Sequence, residues 1–245
     1  MRAEVHPSRA AAARAAAAAV RDLLRRKPGA VLGLATGGTM EPVYEALIEA
    51  HRDGLSFAQV RVFMLDEYVG LPPGHPQSYH AYIRERLVRH VDMEPSQVTV
   101  PRGDIEPERA AEAHEAALAA APPIDLQLLG LGRNGHIGFN EPGSPFGSRT
   151  RPVRLSASTV AANARFFEEG APPGRAVTMG IGTILRARRI LLLACGAAKA
   201  EAARAMIEGP VTEAVPATAL RGHGDVRVVL DAEAAALLSP DGLAA

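Results

Sequence analysis

The chain has few of the residues that stabilise a fold through covalent or metal cross-links. Cys195 is the single cysteine among its 245 residues. One cysteine excludes an internal disulfide framework and a zinc site built from several cysteines. The fold therefore depends on a hydrophobic core, and a chain of this length with 47% hydrophobic residues can form a substantial one. We expect one domain, covering residues 1–245.

The chain also lacks net charge and long apolar runs. With 27 basic and 27 acidic residues its formal net charge is +0, so no overall field attracts nucleic acid or an anionic membrane. The alanine-rich stretch 10–20 contains Arg14 and is followed by Arg21 and Asp22, which argues against a signal peptide. No stretch reaches the roughly 20 uncharged apolar residues that a membrane span needs. The sequence thus predicts a soluble, cytoplasmic protein that binds neither nucleic acid nor membranes.

The chain does show a regular alternation of short apolar runs and helical segments. We expect strands at residues 30–35, 59–65, 124–128, 189–194 and 226–230. Helices are expected at residues 8–26, 41–52, 78–90, 107–121, 199–206 and 232–238. This alternation predicts a single-domain α/β fold with a Rossmann-like, mainly parallel sheet and helices on both faces.

The stretch 129–141, which follows one of these strands, is the best candidate for a site. It contains four closely spaced glycines, which let the backbone turn tightly or approach a ligand. It also carries the polar side chains of Asn134, His136 and Glu141. Ligands of open α/β sheets bind at the carboxyl ends of the strands, where this stretch lies. Taken singly, a glycine-rich turn is equally typical of parallel α/β folds for geometric reasons alone.

Two other strand ends point to the same edge. Residues 36–39, Thr-Gly-Gly-Thr, lie between a strand and a helix, where backbone N–H groups and two hydroxyls form a pocket for an anion. The lysine of a P-loop and the third glycine of a dinucleotide fingerprint are missing, so a nucleotide is not indicated, and an ordinary turn without ligand is the alternative. Asp66 follows the next strand, although capping is the commoner role of such an aspartate.

Lysine is almost absent, and this makes the position of one lysine informative. Lys27 and Lys199 are the only two in the chain. Lys199 opens a predicted helix, where the helix macrodipole disfavours a cation unless an anion lies nearby. Its position therefore supports an anion contact.

Residues 132–142, Gly-Arg-Asn-Gly-His-Ile-Gly-Phe-Asn-Glu-Pro, resemble the signature of the glucosamine-6-phosphate deaminases, the isomerase/deaminases of amino-sugar metabolism. Residues 36–39, 66–79 and 179–183 are similar to other parts of that family's pattern, and the resemblance covers residues 31–230. The related 6-phosphogluconolactonases share the Gly-His but typically continue with Thr and lack Phe-Asn-Glu-Pro. The resemblance therefore favours the deaminase.

The resemblance implies an enzyme, classed with the hydrolases, that converts glucosamine 6-phosphate to fructose 6-phosphate and ammonia by proton transfer, with no cofactor or metal. Asp66 would shuttle the C2 proton, His136 would assist ring opening, and Glu141 and Asn134 would hold the imidazole. The residues implied to bind the substrate phosphate are Thr36, Gly37, Gly38, Thr39, Arg165 and Lys199. A homo-oligomer is compatible with these expectations.

The chain departs from the family pattern in two places. Many deaminases have aspartate where this chain has Asn134, so a relay of three carboxyl groups cannot operate unchanged. The chain also ends at Ala245, short of an extension that contributes to an allosteric site in longer members, and Val153 lies where that site usually has a basic residue. We therefore do not expect activation by N-acetylglucosamine 6-phosphate.

Two other functions stay open at this point. One is a 6-phosphogluconolactonase, and the other is a sugar-phosphate-sensing regulator without catalytic activity. The sequence also leaves open whether the epimeric galactosamine 6-phosphate is accepted.

Overall fold

The computed structural model describes residues 1–167, 171–240 and 242, so Ala245 lies outside the described residues. In chain order the strands are β1 (Arg2–His6), β2 (Val31–Leu34), β3 (Arg61–Met64), β4 (Asp66–Tyr68), β5 (Val98–Thr99), β6 (Leu126–Gly130), β7 (Arg151–Arg154), β8 (Arg175–Thr178), β9 (Ile190–Ala194) and β10 (Val226–Asp231). Seven of them form a parallel sheet in the order β1-β10-β9-β6-β2-β3-β5.

Helices flank this sheet. They are α1 (Arg9–Arg26), α2 (Glu41–Arg52), α3 (Tyr79–Arg86), α4 (Pro107–Ala120), α5 (Ala157–Asn163), α6 (Ile181–Ile184) and α7 (Ala200–Glu208). Short 3₁₀ helices cover Val88–His90, Pro95–Gln97, Ala164–Phe166, Ala197–Lys199 and Pro216–Gly222. The start of α1 follows from its sequence, because the hydroxyl of Ser8 accepts a hydrogen bond from the N–H of Ala11 at 3.2 Å.

The chain reverses its winding direction between β2 and β6. From β2 it proceeds through α2 to β3 on one side, whereas from β6 it proceeds to β9 and β10 on the other. The loops that leave β2 and β6 therefore diverge and open a crevice at the carboxyl edge of the sheet. This topology places the crevice among the four adjacent strands β9, β6, β2 and β3.

A second, three-stranded antiparallel sheet lies next to that edge, in the order β4-β8-β7. Its first strand begins at Asp66, two residues after β3 ends at Met64. The N–H of Met179, which follows β8, donates to the carbonyl of Leu65 at 2.7 Å and joins the two sheets. The small sheet thus extends the main one at the point where the candidate site lies.

The predicted fold class is confirmed, since the structure is a single-domain α/β fold with a mainly parallel central sheet. The helix expected at residues 78–90 ends at Arg86 and continues as a 3₁₀ turn. The helix expected at residues 232–238 is not formed, because residues 232–237 form consecutive turns. Hydrogen bonds between residues three apart, such as from Ala236 to Glu233, replace a helical ladder there. No helix in the described part of the chain has the length and apolarity to cross a membrane.

Gly33→Ala is expected to destabilise the central sheet. A Cβ at this position of β2 would lie 2.0 Å from Oε1 of Gln127, the fully buried residue opposite it in β6. Overpacking of this kind typically costs about 1–3 kcal/mol, so the denaturant midpoint of unfolding should fall. Gly74→Ala, at a position with open space around it, is the matched control. Equal midpoints for the two variants would contradict the packing argument.

Candidate active site

The polar residues predicted for the site lie in loops that follow four adjacent strands. Residues 36–39, named here the anion-binding turn, follow β2; Asp66 follows β3; His136 follows β6; and Lys199 follows β9. Because these strands are parallel neighbours, their carboxyl ends meet at one edge of the sheet. This edge brings together a carboxyl group, an imidazole, an ammonium group and a turn suited to an anion.

Asp66 is a buried carboxyl group at the start of β4. Only 5% of the residue is exposed, and it lies opposite Thr178 of β8, whose side chain forms a hydrogen bond with it. Burial, and after it the charge of the adjacent Glu67, raises the pKa of Asp66 to about 8, although the bond to Thr178 acts in the lowering direction. Asp66 can therefore release and regain a proton near neutral pH.

The loop that carries His136 depends on glycine at two positions. Gly132 lies flat against the imidazole, since a Cβ there would be 2.4 Å from ring atoms of His136. Gly138 has a φ of +54°, and a Cβ on it would lie 3.0 Å from Oγ1 of Thr178 and 3.4 Å from Oδ2 of Asp66. The backbone two residues after His136 thus lies directly beside Asp66.

Glu141 connects this loop to α5. Its Oε2 accepts a hydrogen bond from Nδ2 of Asn134 at 2.8 Å and lies 3.7 Å from Nδ1 of His136, an ion-pair distance rather than a hydrogen bond. Its Oε1 accepts from the N–H and the hydroxyl of Ser156 at 3.2 and 3.1 Å. Burial opposes ionisation, but the contacts with His136, Thr159 and Asn134 outweigh it and lower the pKa of Glu141 to about 2. Glu141 is therefore a carboxylate at neutral pH.

Asn134 fits this arrangement as an amide. Its Nδ2 donates to Glu141, while its Oδ1 accepts from the N–H of His136 at 3.3 Å. An ionised aspartate could accept but not donate, and it would bring a second negative charge to Glu141. The amide lets Glu141 keep its charge beside the imidazole.

Hydrogen bonds from residues outside the anion-binding turn fix its conformation. Gly37 has a φ of +99°, and its carbonyl accepts hydrogen bonds from the N–H of Met40 at 2.9 Å and from the hydroxyl of Tyr82 at 3.1 Å. The carbonyl of Gly38 accepts from the side chain of Arg9. Met40 gives α2 no side-chain cap, Pro42 has no N–H, and the N–H groups of Val43 and Tyr44 donate to the carbonyl of Met40, which leaves the N–H of Glu41 in the first turn for an anion.

Lys199 forms the cationic part of the edge. It is half-buried at the end of the 3₁₀ helix Ala197–Lys199, and its Nζ donates to the carbonyl of Leu131 at 2.6 Å, at the base of the His136 loop. Burial, followed by the positive charges of Arg133 and Arg165, lowers the pKa of Lys199. Three positive charges in one place favour a bound anion.

The structure brings the predicted site residues to one edge, and the roles assigned to them stay predictions. Arg165 lies exposed in the 3₁₀ helix Ala164–Phe166, close enough to Lys199 to affect its pKa.

Sequence reasoning missed Thr178 and Ser156, because both come from segments whose contacts with the site are purely tertiary. It also missed Arg133, although that residue stands inside the signature. Within residues 1–167, 171–240 and 242, no group of three or more His, Cys, Asp or Glu side chains is placed to hold a metal ion.

The fold and the site together define a class: a parallel α/β protein with a buried carboxyl group, an imidazole, a cationic side chain and a glycine-containing turn at the carboxyl edge of its sheet. Residues 6–228 match the family model described as glucosamine-6-phosphate isomerases/6-phosphogluconolactonase. The chain belongs to this family.

Individual relatives divide between the two activities in that description. A glucosamine-6-phosphate deaminase of Rhodopirellula baltica is 52% identical over 238 residues, which cover 96% of this chain and 95% of the relative. A solved structure described as a monomeric glucosamine-6-phosphate deaminase superposes with a TM-score of 0.95 at 45% identity, covering 97% of this chain and all of the other. The 6-phosphogluconolactonase of Trypanosoma brucei gives a TM-score of 0.79 at 26% identity, covering 97% and 98%. The deaminase relatives are thus markedly more similar.

Asp66→Asn is expected to stabilise the protein at mildly alkaline pH. The pKa of Asp66 is raised from 3.8 to about 8, so between these values the folded state keeps a proton that the unfolded chain has released. Stability therefore falls as pH rises through this window, and an uncharged amide escapes the loss. Thermal unfolding should show a higher midpoint for the variant at pH 8 and above, with the difference vanishing toward about pH 4.

Asp22→Asn, which removes an exposed carboxylate of α1, is the control for this substitution. A stability difference between Asp66→Asn and the parent protein that does not change with pH would show that Asp66 is not held neutral by the fold.

Proposed function

We propose that the protein is a glucosamine-6-phosphate deaminase, which converts glucosamine 6-phosphate to fructose 6-phosphate and ammonia. The observation that carries this proposal is the position of buried Asp66 beside the His136 loop, on the edge that also carries Lys199. An acid–base pair next to an anion site suits proton transfer on a sugar phosphate. The names of the 52% and 45% identical relatives support the same activity.

The phosphate of the substrate would bind between the anion-binding turn and the cations. N–H groups of the turn and the start of α2 supply donors, and Lys199 and Arg165 supply positive charge. Guanidinium can bind a phosphate through two parallel hydrogen bonds. Anchoring this end of the substrate holds its reacting carbons in register with the base, which converts binding energy into correct orientation.

His136 would open the sugar ring. Ring opening moves a proton from the C1 hydroxyl and delivers one to the ring oxygen, and an imidazole can do both. Glu141, whose pKa is lowered by its contacts with His136, Thr159 and Asn134, orients the ring of His136 and stabilises a positive charge on it. The 3.7 Å between Oε2 of Glu141 and Nδ1 of His136 supports this electrostatic role.

Asp66 would then carry the isomerisation. As a base it removes the proton from C2 of the open-chain aldehyde while O1 takes up a proton from water, giving an enolamine, and as an acid it delivers the C2 proton to C1. The resulting imine at C2 is hydrolysed by water to a ketone, and the amine leaves as ammonia. A pKa of about 8 suits a group that must both take and give a proton near neutral pH.

The finer assignments belong to the same proposal. We assign the protein to the cytoplasm and a sugar phosphate as its small-molecule partner. Homo-oligomerisation stays a prediction, and the 45% identical structure is described as monomeric.

An assay for ammonia release from glucosamine 6-phosphate tests the activity directly. The parent protein should release ammonia, and Asp66→Asn and His136→Gln should lower kcat by about 10²–10⁴-fold, which is the usual contribution of acid–base catalysis. Hydrolysis of 6-phosphogluconolactone without ammonia release would assign the lactonase activity instead. Full ammonia release by either variant would remove that residue from the mechanism.

Lys199→Gln is expected to raise KM for glucosamine 6-phosphate by about 10- to 100-fold, because a charge-assisted hydrogen bond to a bound anion typically contributes about 1.5–3 kcal/mol. The measurement is steady-state ammonia release, together with protection by inorganic phosphate in thermal unfolding. Arg204→Gln, an exposed position of α7 one turn further along, is the matched control. Equal KM values for both variants would place the phosphate elsewhere.

A further inference from the structure

Glu67, the residue after Asp66 in β4, is a fully buried carboxyl group that the proposed mechanism does not use. Its Oε1 accepts hydrogen bonds from the N–H groups of Tyr68 and Tyr79 at 2.8 and 3.0 Å. Its Oε2 is 3.1 Å from the N–H of His80 and 3.0 Å from Nδ1 of the same residue. Three backbone donors surround a group that, if protonated, would have to donate itself. Both oxygens of Glu67 therefore act as hydrogen-bond acceptors.

This carboxylate fixes the amino end of α3. Tyr79 and His80 are the first two residues of that helix, and their N–H groups have no partner inside it. From there α3 reaches the anion-binding turn, since the hydroxyl of Tyr82 donates to the carbonyl of Gly37 at 3.1 Å and the side chain of Thr36 is near enough to Tyr79 to affect its pKa. Glu67 thus connects the strand that carries Asp66 with the turn that would hold the phosphate.

Glu67 also acts on Asp66 through its charge. Successive side chains of a strand point to opposite faces, so the two carboxyl groups interact across β4 without direct contact. The groups that interact with Asp66 are Glu67 and Tyr68 from β4, Tyr79 from α3, Thr178 from β8 and the backbone of Gly138 from the His136 loop. Burial raises the pKa of Tyr68 to about 12 and that of Tyr79 well above its usual value, so both are neutral. The negative charge that opposes ionisation of Asp66 in this set is that of Glu67.

We propose that Glu67 is a positioning residue of the deaminase site, which holds Asp66 and the anion-binding turn at a fixed separation. Its charge is an additional influence on Asp66. The proposal rests on the proposed function for its kinetic consequences. Its electrostatic part concerns the folded protein alone and holds for any substrate.

The two effects can be separated with one pair of variants. Glu67→Gln removes the charge, whereas Glu67→Asp keeps the charge but withdraws the carboxylate from α3 by one methylene. Glu85→Gln, which removes an exposed carboxylate from the other end of α3, is the matched control. The readouts are kcat and KM for ammonia release across pH, and an infrared titration of the protonated carboxyl band that disappears in Asp66→Asn.

For Glu67→Gln we expect the titration midpoint of Asp66, and with it the acidic limb of kcat/KM, to move down by about one pH unit, as Coulomb interaction across a strand in a protein predicts. For Glu67→Asp both should stay at the parent values while KM rises severalfold, because the turn is no longer held. The control should match the parent protein in every readout.

If the midpoint of Glu67→Gln equals that of the parent, or Glu67→Asp shifts it as far down as Glu67→Gln does, the electrostatic part is wrong. If KM is unchanged in both variants, the positioning part is wrong.

His80→Phe keeps the proposal testable if Glu67→Gln does not fold. The phenyl ring keeps the bulk of a partly exposed side chain but removes the Nδ1 contact from Glu67, whose charge is then less compensated. The infrared midpoint of Asp66 should rise, and an unchanged or lower midpoint would overturn the proposal.

Failure of the parent protein to release ammonia would overturn the proposed function, while the infrared result would still decide the electrostatic role of Glu67.

Discussion

The parallel direction of the central strands is the constraint on which the site depends. An antiparallel neighbour would place its following loop at the opposite edge, whereas parallel strands deliver every following loop to the same edge. The order β9-β6-β2-β3 then sets the order of the groups along that edge: ammonium, imidazole, anion-binding turn and carboxyl group. Groups far apart in the sequence meet because they occupy equivalent positions in successive strand–loop units.

The same regularity explains what the sequence could predict. Buried strands such as Ile190–Ala194 are uninterrupted apolar runs, and helices such as Glu41–Arg52 carry their own start and stop signals, so both were placed within a residue or two. β1, which reads Arg-Ala-Glu-Val-His, pairs on one side only and has no such pattern. The segment 232–238 is rich in alanine and leucine, which predicts a helix, but the chain forms turns there with hydrogen bonds such as that from Ala236 to Glu233, three residues back. Alanine and leucine content alone therefore did not decide the conformation.

For the site, sequence reasoning found the residues but not their environments. Asp66, His136 and Lys199 could be found from their places after apolar strands and from a family resemblance. Asp66 is buried because β4 pairs with β8. Nothing in the sequence of β8, Arg175–Thr178, indicates that it pairs with β4. The contact of Ser156 with Glu141 likewise joins residues fifteen apart through a loop that no periodicity describes. Burial and hydrogen bonding set the charge states of these groups, and both are properties of the folded chain.

The adjacent residues Asp66 and Glu67 are two buried carboxyl groups that differ in their hydrogen-bond donors more than in their burial. Both are at most 5% exposed, so desolvation opposes ionisation of each. Glu67 meets three backbone N–H groups and the imidazole of His80, whereas the hydroxyl of Thr178 is the bond that favours ionised Asp66. Because side chains of a strand alternate between its two faces, Glu67 lies at the amino end of α3 while Asp66 lies in a pocket with few hydrogen-bond donors. The small sheet β4-β8-β7 forms that pocket. Because the pKa of Asp66 is about 8 there, Asp66 can lose its proton near neutral pH and then act as a base.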